Sequence, residues 1–441
     1  MKGHFKLTYR FLLAALCLSL LQTSSSTEQS ITRENMLSDI NYLSYILTTA
    51  HPQVKSGWLP EQKQRLEEIE RGLPKRMPVE GFYFKINAVL MTLHDAHSSA
   101  GLGIRPGDRF AELPIFWGDD GMMVVEDTGQ LRKGDRIVSI GGKTEEQILK
   151  RFQQLVPAEN EYWVKARAAQ LIVWEPYLVE AGLMRKSKSV LKATINREGK
   201  TMQARIPFTT SWKHIVKLYQ ASPVDEVQAL SYRLFPDESL AVFRLDNCVV
   251  DKPTQQAIRE FFQAVDAYHL QNVAIDVRRN GGGNSAVIDE LFSYTTINHY
   301  MGFSGVNQAN GKPERTLASR TSVIPAKGIS PFSGHLYILT SNQTFSSANW
   351  LATLVQDNHL GTVVGEPTGN QPTSFGDINV YTLPKSGITV SVSQTAWTRP
   401  DRDSSGERTV WPDIVIDTTA QDIRNGIDSQ INGLIRLLQK Q

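Results

Sequence analysis

The chain has 441 residues, enough for about two to four domains of ordinary size. Apolar residues make up 41% and charged residues 21%, so a large buried core is expected and extended disorder is excluded as the default. The formal net charge is only +2, which leaves no basic excess to drive nucleic-acid binding.

The first 26 residues have a graded composition. Lys2, Lys6 and Arg10 precede an apolar run from Phe11 to Leu21, and small polar residues follow from Thr23 to Thr27. A basic start, an apolar middle and a small-residue zone predict an export signal over residues 1–26, cleaved near Ser26. The apolar run is shorter than the roughly 20 residues that span a bilayer, so no stable membrane insertion is expected after cleavage. Of the 2 cysteines, Cys17 would leave with the signal and Cys248 would stand alone. An internal disulfide is then impossible, and Cys248 is expected to be a small buried hydrophobe. The expected location is outside the cytoplasm, periplasmic or secreted.

Residues 27–105 read as a helical N-terminal region. Met36, Leu37, Ile40, Leu43, Ile46 and Leu47 recur at helical spacing, Pro52 interrupts them, and Gln62–Leu73 and Phe82–Leu93 predict two further helices. Residues 110–209 form a second unit. The run from Leu131 to Gly142 carries a turn, an alternating strand and a Gly-Gly turn; a helix follows over Glu145–Leu155, and two strands flank the turn Arg197-Glu198-Gly199-Lys200. This Leu-x-x-Gly-Asp-x-Ile pattern resembles a PDZ domain, with residues 157–187 as a helical insertion. Residues 225–441 alternate short apolar strands (240–245, 272–277, 335–340, 361–364) with helices (254–267, 284–294, 347–357), which predicts an α/β core. Residues 387–396 alternate as a strand, and 421–439 place Ile423, Ile427, Ile431, Leu434 and Leu438 on one helical stripe.

Three local motifs carry candidate chemistry. Ser346 and Ser347 sit where a strand turns into an apolar helix, so a hydroxyl can be exposed beside outward-facing helical N–H groups; the plain alternative is a helix N-cap. Asp276-Val277-Arg278-Arg279-Asn280-Gly281-Gly282-Gly283 places three glycines after a strand, where backbone N–H groups are accessible, and lacks the Lys-Ser/Thr ending of a phosphate loop. His94-Asp95-Ala96-His97 supplies a histidine suited to general-base work. Its residues would make an incomplete ligand set and have no His-Glu-x-x-His spacing, so no metal is expected.

Taken together, the motifs resemble peptidase family S41, the tricorn and carboxyl-terminal-processing protease group. The matching features are Leu93, Asp95 and His97, the PDZ-like unit, Asp276 to Gly283, the Ser-Ser-Ala turn, Gly365-Glu366-Pro367 and Trp411-Pro412-Asp413. The resemblance implies a ClpP/crotonase-like α/β catalytic core. Counting back from Gly365 it assigns Ser346 as nucleophile, with Gly282 and Ser347 as oxyanion-hole donors. The Ser–Lys branch has its lysine at the position of Gln371, which cannot accept a proton, and the next lysine is Lys385. The tricorn-like branch uses a histidine ahead of the PDZ domain, which matches His97. That branch has a serine where this chain has Ala96, leaving Ser98 or Ser99 as substitutes, and its downstream glutamate matches Glu407, with Asp401 and Asp403 also open. The resemblance thus implies an exported serine peptidase, without cofactor, acting on peptide or protein through an acyl-enzyme. A catalytically impaired peptide-binding protein and a hydrolase of non-peptide esters are the alternatives. Asn342-Gln343-Thr344 is also a glycosylation sequon.

Overall fold

The structure is a computed structural model that describes residues 29–211, 213–216, 230–307 and 313–440. The expected export signal lies outside the described residues.

The N-terminal region begins with the helix Arg33–Ala50, capped by Thr32, whose hydroxyl accepts the Asn35 N–H at 3.4 Å. Met36, Ile40, Leu43 and Leu47 are fully buried along its inner face. Asp39 is buried on the same helix, and its carboxylate accepts the N–H groups of Lys385 and Ser386 at 2.9 and 2.8 Å. The helices Pro60–Gly72 and Val79–Leu90 follow, and a short 3-10 turn, Met91–Leu93, ends in His94 at φ 48°. The helix therefore stops before the histidine motif, and residues 95–98 form a tight turn leading into the strand Ser99–Gly101.

Residues 110–209 form a seven-stranded antiparallel sheet in which Arg136–Ile140 lies between Gly121–Val124 and Val190–Arg197. Gly141 is forced at its turn, because a Cβ there would lie 1.8 Å from the Leu183 carbonyl oxygen at φ +59°. Residues 157–187 carry the helices Glu161–Leu171 and Glu175–Glu180 across one end of this sheet. Asn160 caps the first, accepting the Trp163 N–H at 2.9 Å.

The C-terminal part is built on a six-stranded sheet. Leu230–Phe235 is antiparallel to Leu240–Leu245, and the order then runs parallel through Asn272–Asp276, His335–Thr340, Thr362–Gly365 and Ile414–Val415. The central strands are apolar on both faces because both are covered. Phe243, Ile275 and Ile338 pack with Phe261 of the helix Lys252–Ala267, while Val242, Leu339 and Val364 pack with Ile431 and Leu434. The tail is not one helix as its periodicity suggests. Gly426 at φ 67° separates Ala420–Asn425 from Ser429–Leu438, and Asp428 caps the second helix. The segment expected as a helix over 284–294 is helical only over Val287–Phe292.

A second, five-stranded sheet crosses this unit. Its strand Thr389–Thr398 pairs with Phe375–Thr382 and Ser304–Asn307, and also takes Ser99–Gly101 as an antiparallel partner. The histidine turn is thereby fixed to the C-terminal part, with Ser391 Oγ donating to the His97 carbonyl at 2.8 Å.

The loop after Asn272–Asp276 is anchored by Arg278. Its guanidinium meets Asp276 at 2.6 and 2.9 Å and Asp428 at 2.7 and 2.9 Å, so one cation joins the sheet to the tail helix. Replacing it leaves two poorly solvated carboxylates facing each other. We expect Arg278→Ala to cost about 3–5 kcal/mol in urea denaturation, with Arg278→Lys only a partial rescue because both contacts are two-pronged.

Candidate active site

Three loops leave the carboxyl ends of adjacent parallel strands, where ligand sites form in open α/β sheets: 277–283, 341–346 and 366–371. The middle loop is held by the other two. Thr344 Oγ1 donates to the Val277 carbonyl at 3.0 Å, the Phe345 N–H donates to the Asn280 carbonyl at 3.0 Å, and the Ser346 N–H donates to Asn370 Oδ1 at 3.1 Å.

Between these clamps Ser346 adopts φ 52° and ψ −125°, a conformation that L-residues rarely adopt. It precedes the helix Ser347–Asp357 but makes no side-chain cap bond, so the plain N-cap reading does not hold. The two serines differ. Ser347 Oγ donates to the Gly283 carbonyl at 2.8 Å, whereas Ser346 is left half-exposed with its hydroxyl uncommitted to the helix. Ser347 opens the helix, so its backbone N–H has no intrahelical acceptor.

Gly282, at φ 98°, lies directly against this turn. A Cβ on it would sit 2.5 Å from Ser346 Cβ and 3.0 Å from the Ser347 nitrogen. Its own N–H, however, donates to Asn280 Oδ1 at 2.8 Å. The glycine expected as an oxyanion donor therefore provides clearance, and its N–H is already spent in this structure.

His97 reaches the same place from the N-terminal region. Its ring lies 4.4 Å from that of Phe345, and the Trp163 ring stacks on Phe345 at 4.1 Å. Neither imidazole nitrogen has a hydrogen-bond partner among the described residues, so the bond to Ser346 is not made in this structure. Burial lowers the pKa of His97, opposed by the nearby charges of Asp95 and Asp377, and favours the neutral imidazole. His94 is exposed and stands apart.

Two buried carboxylates flank His97. Asp95 Oδ1 lies 3.8 Å from His97 Nδ1 and accepts the His97 N–H at 2.9 Å, while its Oδ2 meets His51 Nε2 at 3.2 Å and Ser98 Oγ at 2.5 Å. Burial works to raise the pKa of Asp95, but bonding to His51 and the charges of His51 and His97 outweigh it and bring it to about 2. Glu159 arrives from the segment 157–187. Its Oε1 accepts the Ala96 N–H at 3.1 Å and Asn370 Nδ2 at 3.3 Å, while Oε2 has no hydrogen-bond partner among the described residues. Burial, reinforced by the charge of Asp95, pushes its pKa up to about 8. Asn370 thus joins Glu159 to the Ser346 backbone in a single side chain.

Glu407 does not flank His97 in this arrangement. It pairs with Arg399 at 2.6 Å in a polar loop, is 41% exposed at its side chain, and shares Arg399 with Asp357. Asp401 accepts Ser404 Oγ and the Asp403 N–H within that loop, and Asp403 is exposed. The loop is held by Arg399, which explains why its carboxylates remain there. Ser98 and Ser99, the substitutes for the serine absent at Ala96, are bonded to Asp95 and to Ser391 respectively. Lys385 is exposed in the hairpin turn held by Asp39. Asn342 is buried and donates to the Trp117 carbonyl at 2.6 Å, so the sequon is closed to a glycan in the folded protein.

Residues 239–416 match the model of Peptidase family S41. The match spans less than half of the chain; over that segment the chain is similar to this family, which indicates a serine-type peptidase. Among solved structures, a CPAF serine-to-alanine mutant is 14% identical with a TM-score of 0.70, covering 92% of this chain and 97% of the other. Mature CPAF complexed with lactacystin is 15% identical with a TM-score of 0.67, again covering 92% and 97%. At this identity the likeness shows a shared fold. No curated protein matches the chain in sequence.

Two substitutions separate these roles. Gly282→Ala should leave a folded protein with activity reduced at least about a hundredfold, a loss on the scale of a disrupted oxyanion hole, because the added methyl displaces Ser346. Circular dichroism alongside turnover would check it. Glu407→Gln should leave the acid limb of the pH–activity profile unmoved.

Proposed function

We propose that the protein is an exported peptidase that hydrolyses peptide bonds through an acyl-enzyme on Ser346, with His97 as general base. The observation that carries this reading is the backbone of Ser346, held at positive φ against Gly282 with its hydroxyl left out of the helix cap. In the acylation step, rotation brings Ser346 Oγ to His97, which takes its proton as oxygen bonds to the substrate carbonyl carbon. The resulting oxyanion is met by the Ser347 N–H and by an N–H of the glycine turn once that turn adjusts. Collapse breaks the C–N bond, and the proton on His97 passes to the leaving amine. Water then enters by the same route in reverse. Asp95 supports the imidazolium, in place of Glu407.

We read residues 225–441 as a catalytic unit of the ClpP/crotonase-like type, residues 27–105 as the region that delivers the base, and residues 110–209 as a PDZ-like module whose insertion contributes Glu159. The module suits an extended peptide, which could add to a free strand edge. Export rests on the composition of residues 1–26; among the described residues no helix is long and apolar enough to cross a membrane. N-terminal sequencing of secreted protein should begin between Thr23 and Gln29.

A second reading, a peptide-binding protein on this fold, is favoured by the spent Gly282 N–H and the unbonded His97. A fluorophosphonate probe decides between them, since only an activated serine is labelled. We expect labelling, lost entirely in Ser346→Ala. Ser347→Ala should keep most activity, losing a hydrogen bond worth about 1 kcal/mol to stability. His97→Ala should lower kcat by about 10²–10⁴-fold. Activity should rise with pH as His97 loses its proton, and because burial lowers its pKa the midpoint should fall below the ordinary value of about 6.5. A kcat/KM profile whose acid limb lies above pH 7 would count against this assignment.

A further inference from the structure

We propose that Asp95, His97 and Glu159 form a binding site for a divalent transition-metal cation, Zn²⁺ being the best match, and that the bound ion inhibits the hydrolase. The three residues come from the N-terminal turn and from the segment 157–187, and each offers one ligand atom, all within 4.8 Å of one another.

The lone pairs are available. Both nitrogens of His97 and Oε2 of Glu159 are buried without a hydrogen-bond partner among the described residues. Asp95 Oδ1 lies 3.8 Å from His97 Nδ1 and carries only the His97 backbone N–H. Bonds of about 2.0–2.2 Å in a tetrahedral site place neighbouring ligand atoms roughly 3.3 Å apart, so closure needs contraction of at most about 1.5 Å. One imidazole and two carboxylates, with a fourth position left for water, make a donor set suited to Zn²⁺. Magnesium and calcium prefer oxygen-only shells.

The ligands are also supported from behind. His51 and Ser98 hold the far oxygen of Asp95, and Ala96 and Asn370 hold Oε1 of Glu159, while Oε2 carries no hydrogen bond among the described residues. Such outer partners orient ligands and strengthen binding. A cavity of about 260 Å³ lined by Glu159, His94, Glu161 and Arg408 lies on the Glu159 side of the cluster. No covalent or redox change is involved: an ion on Nδ1, the nitrogen nearest Asp95, keeps the ring proton on Nε2, so His97 has no lone pair left to accept the Ser346 proton.

The site itself does not depend on the proposed catalysis; only the inhibition rests on that reading. Titration calorimetry with ZnCl₂ on the Ser346→Ala protein isolates binding, because Ser346 is not a ligand. We expect one equivalent bound and a raised melting temperature. His97→Ala, which breaks no side-chain hydrogen bond, and Glu159→Gln, which retains the Oε1 acceptor, should each weaken binding at least about tenfold, the lower end of the loss seen when a ligand's support is removed. His94→Ala should not change it. Unchanged zinc binding in His97→Ala or Glu159→Gln overturns the site, as does the absence of a binding isotherm. With the Ser346-containing protein, one equivalent of Zn²⁺ should suppress fluorophosphonate labelling, and a chelator should restore it. Labelling unaffected by bound Zn²⁺ overturns the inhibition. A protein that is never labelled, with or without zinc, refutes the assigned nucleophile and leaves calorimetry to decide the site.

Discussion

Everything at this site depends on a backbone conformation that the chain would not adopt unaided. Ser346 at φ 52° and ψ −125° costs about 1–3 kcal/mol, and such strain persists only where the surroundings over-determine it. Here the surroundings come from both sides. The 277–283 loop binds Thr344 and Phe345, the 366–371 loop binds the Ser346 N–H through Asn370, and Ser347 Oγ ties the helix start to Gly283. Each clamp leaves an adjacent parallel strand, so the sheet register fixes the turn. Arg278 in turn fixes the first loop, through Asp276 at the strand end and Asp428 on the tail helix.

The electrostatics follow from packing as much as from composition. Asp95 and Glu159 are both carboxylates near the same imidazole, yet burial and bonding send their pKa values apart, one to about 2 and the other to about 8. The difference lies in their partners. Asp95 faces His51, His97 and a hydroxyl, whereas Glu159 faces two N–H donors on one oxygen, nothing on the other, and the charge of Asp95 itself. Because Glu159 belongs to the segment 157–187, the electrostatics around His97 are set partly by a unit that contains neither Ser346 nor His97.

Sequence patterns revealed the parts of this arrangement that repeat locally. The α/β core was legible because its strands are short apolar runs buried on both faces, followed by turn residues and helices. The serine pair was legible as a strand-to-helix junction, which alone suits a helix N-cap as well, so the choice of Ser346 came from the resemblance; the histidine turn was marked by its composition. The break in the tail was written in Asn425-Gly426 and Asp428, but the apolar stripe that runs through it reads as one helix. Glu159 carried no signal: it is an acidic residue in a polar stretch, and only its burial against Ala96 and Asn370 gives it a role. Asn370 lay next to Gln371, where the missing lysine drew attention instead. The spacing that pointed to Glu407 could not show that Arg399 pairs with it in its own loop.

The pairing of Ser99–Gly101 with Thr389–Thr398 has a consequence for the protein's synthesis. Ser99 and Ser391 meet across 292 positions, so the turn that carries His97 emerges from the ribosome long before the strand that anchors it. Contacts this distant in sequence form late, after the loops between them have closed. A nascent or interrupted chain ending before residue 389 would contain both Ser346 and His97 but lack the strand that fixes the histidine. On the proposed role of His97, competence then waits for the strand Thr389–Thr398, which for a hydrolase made inside the cell delays the hazard of its own activity.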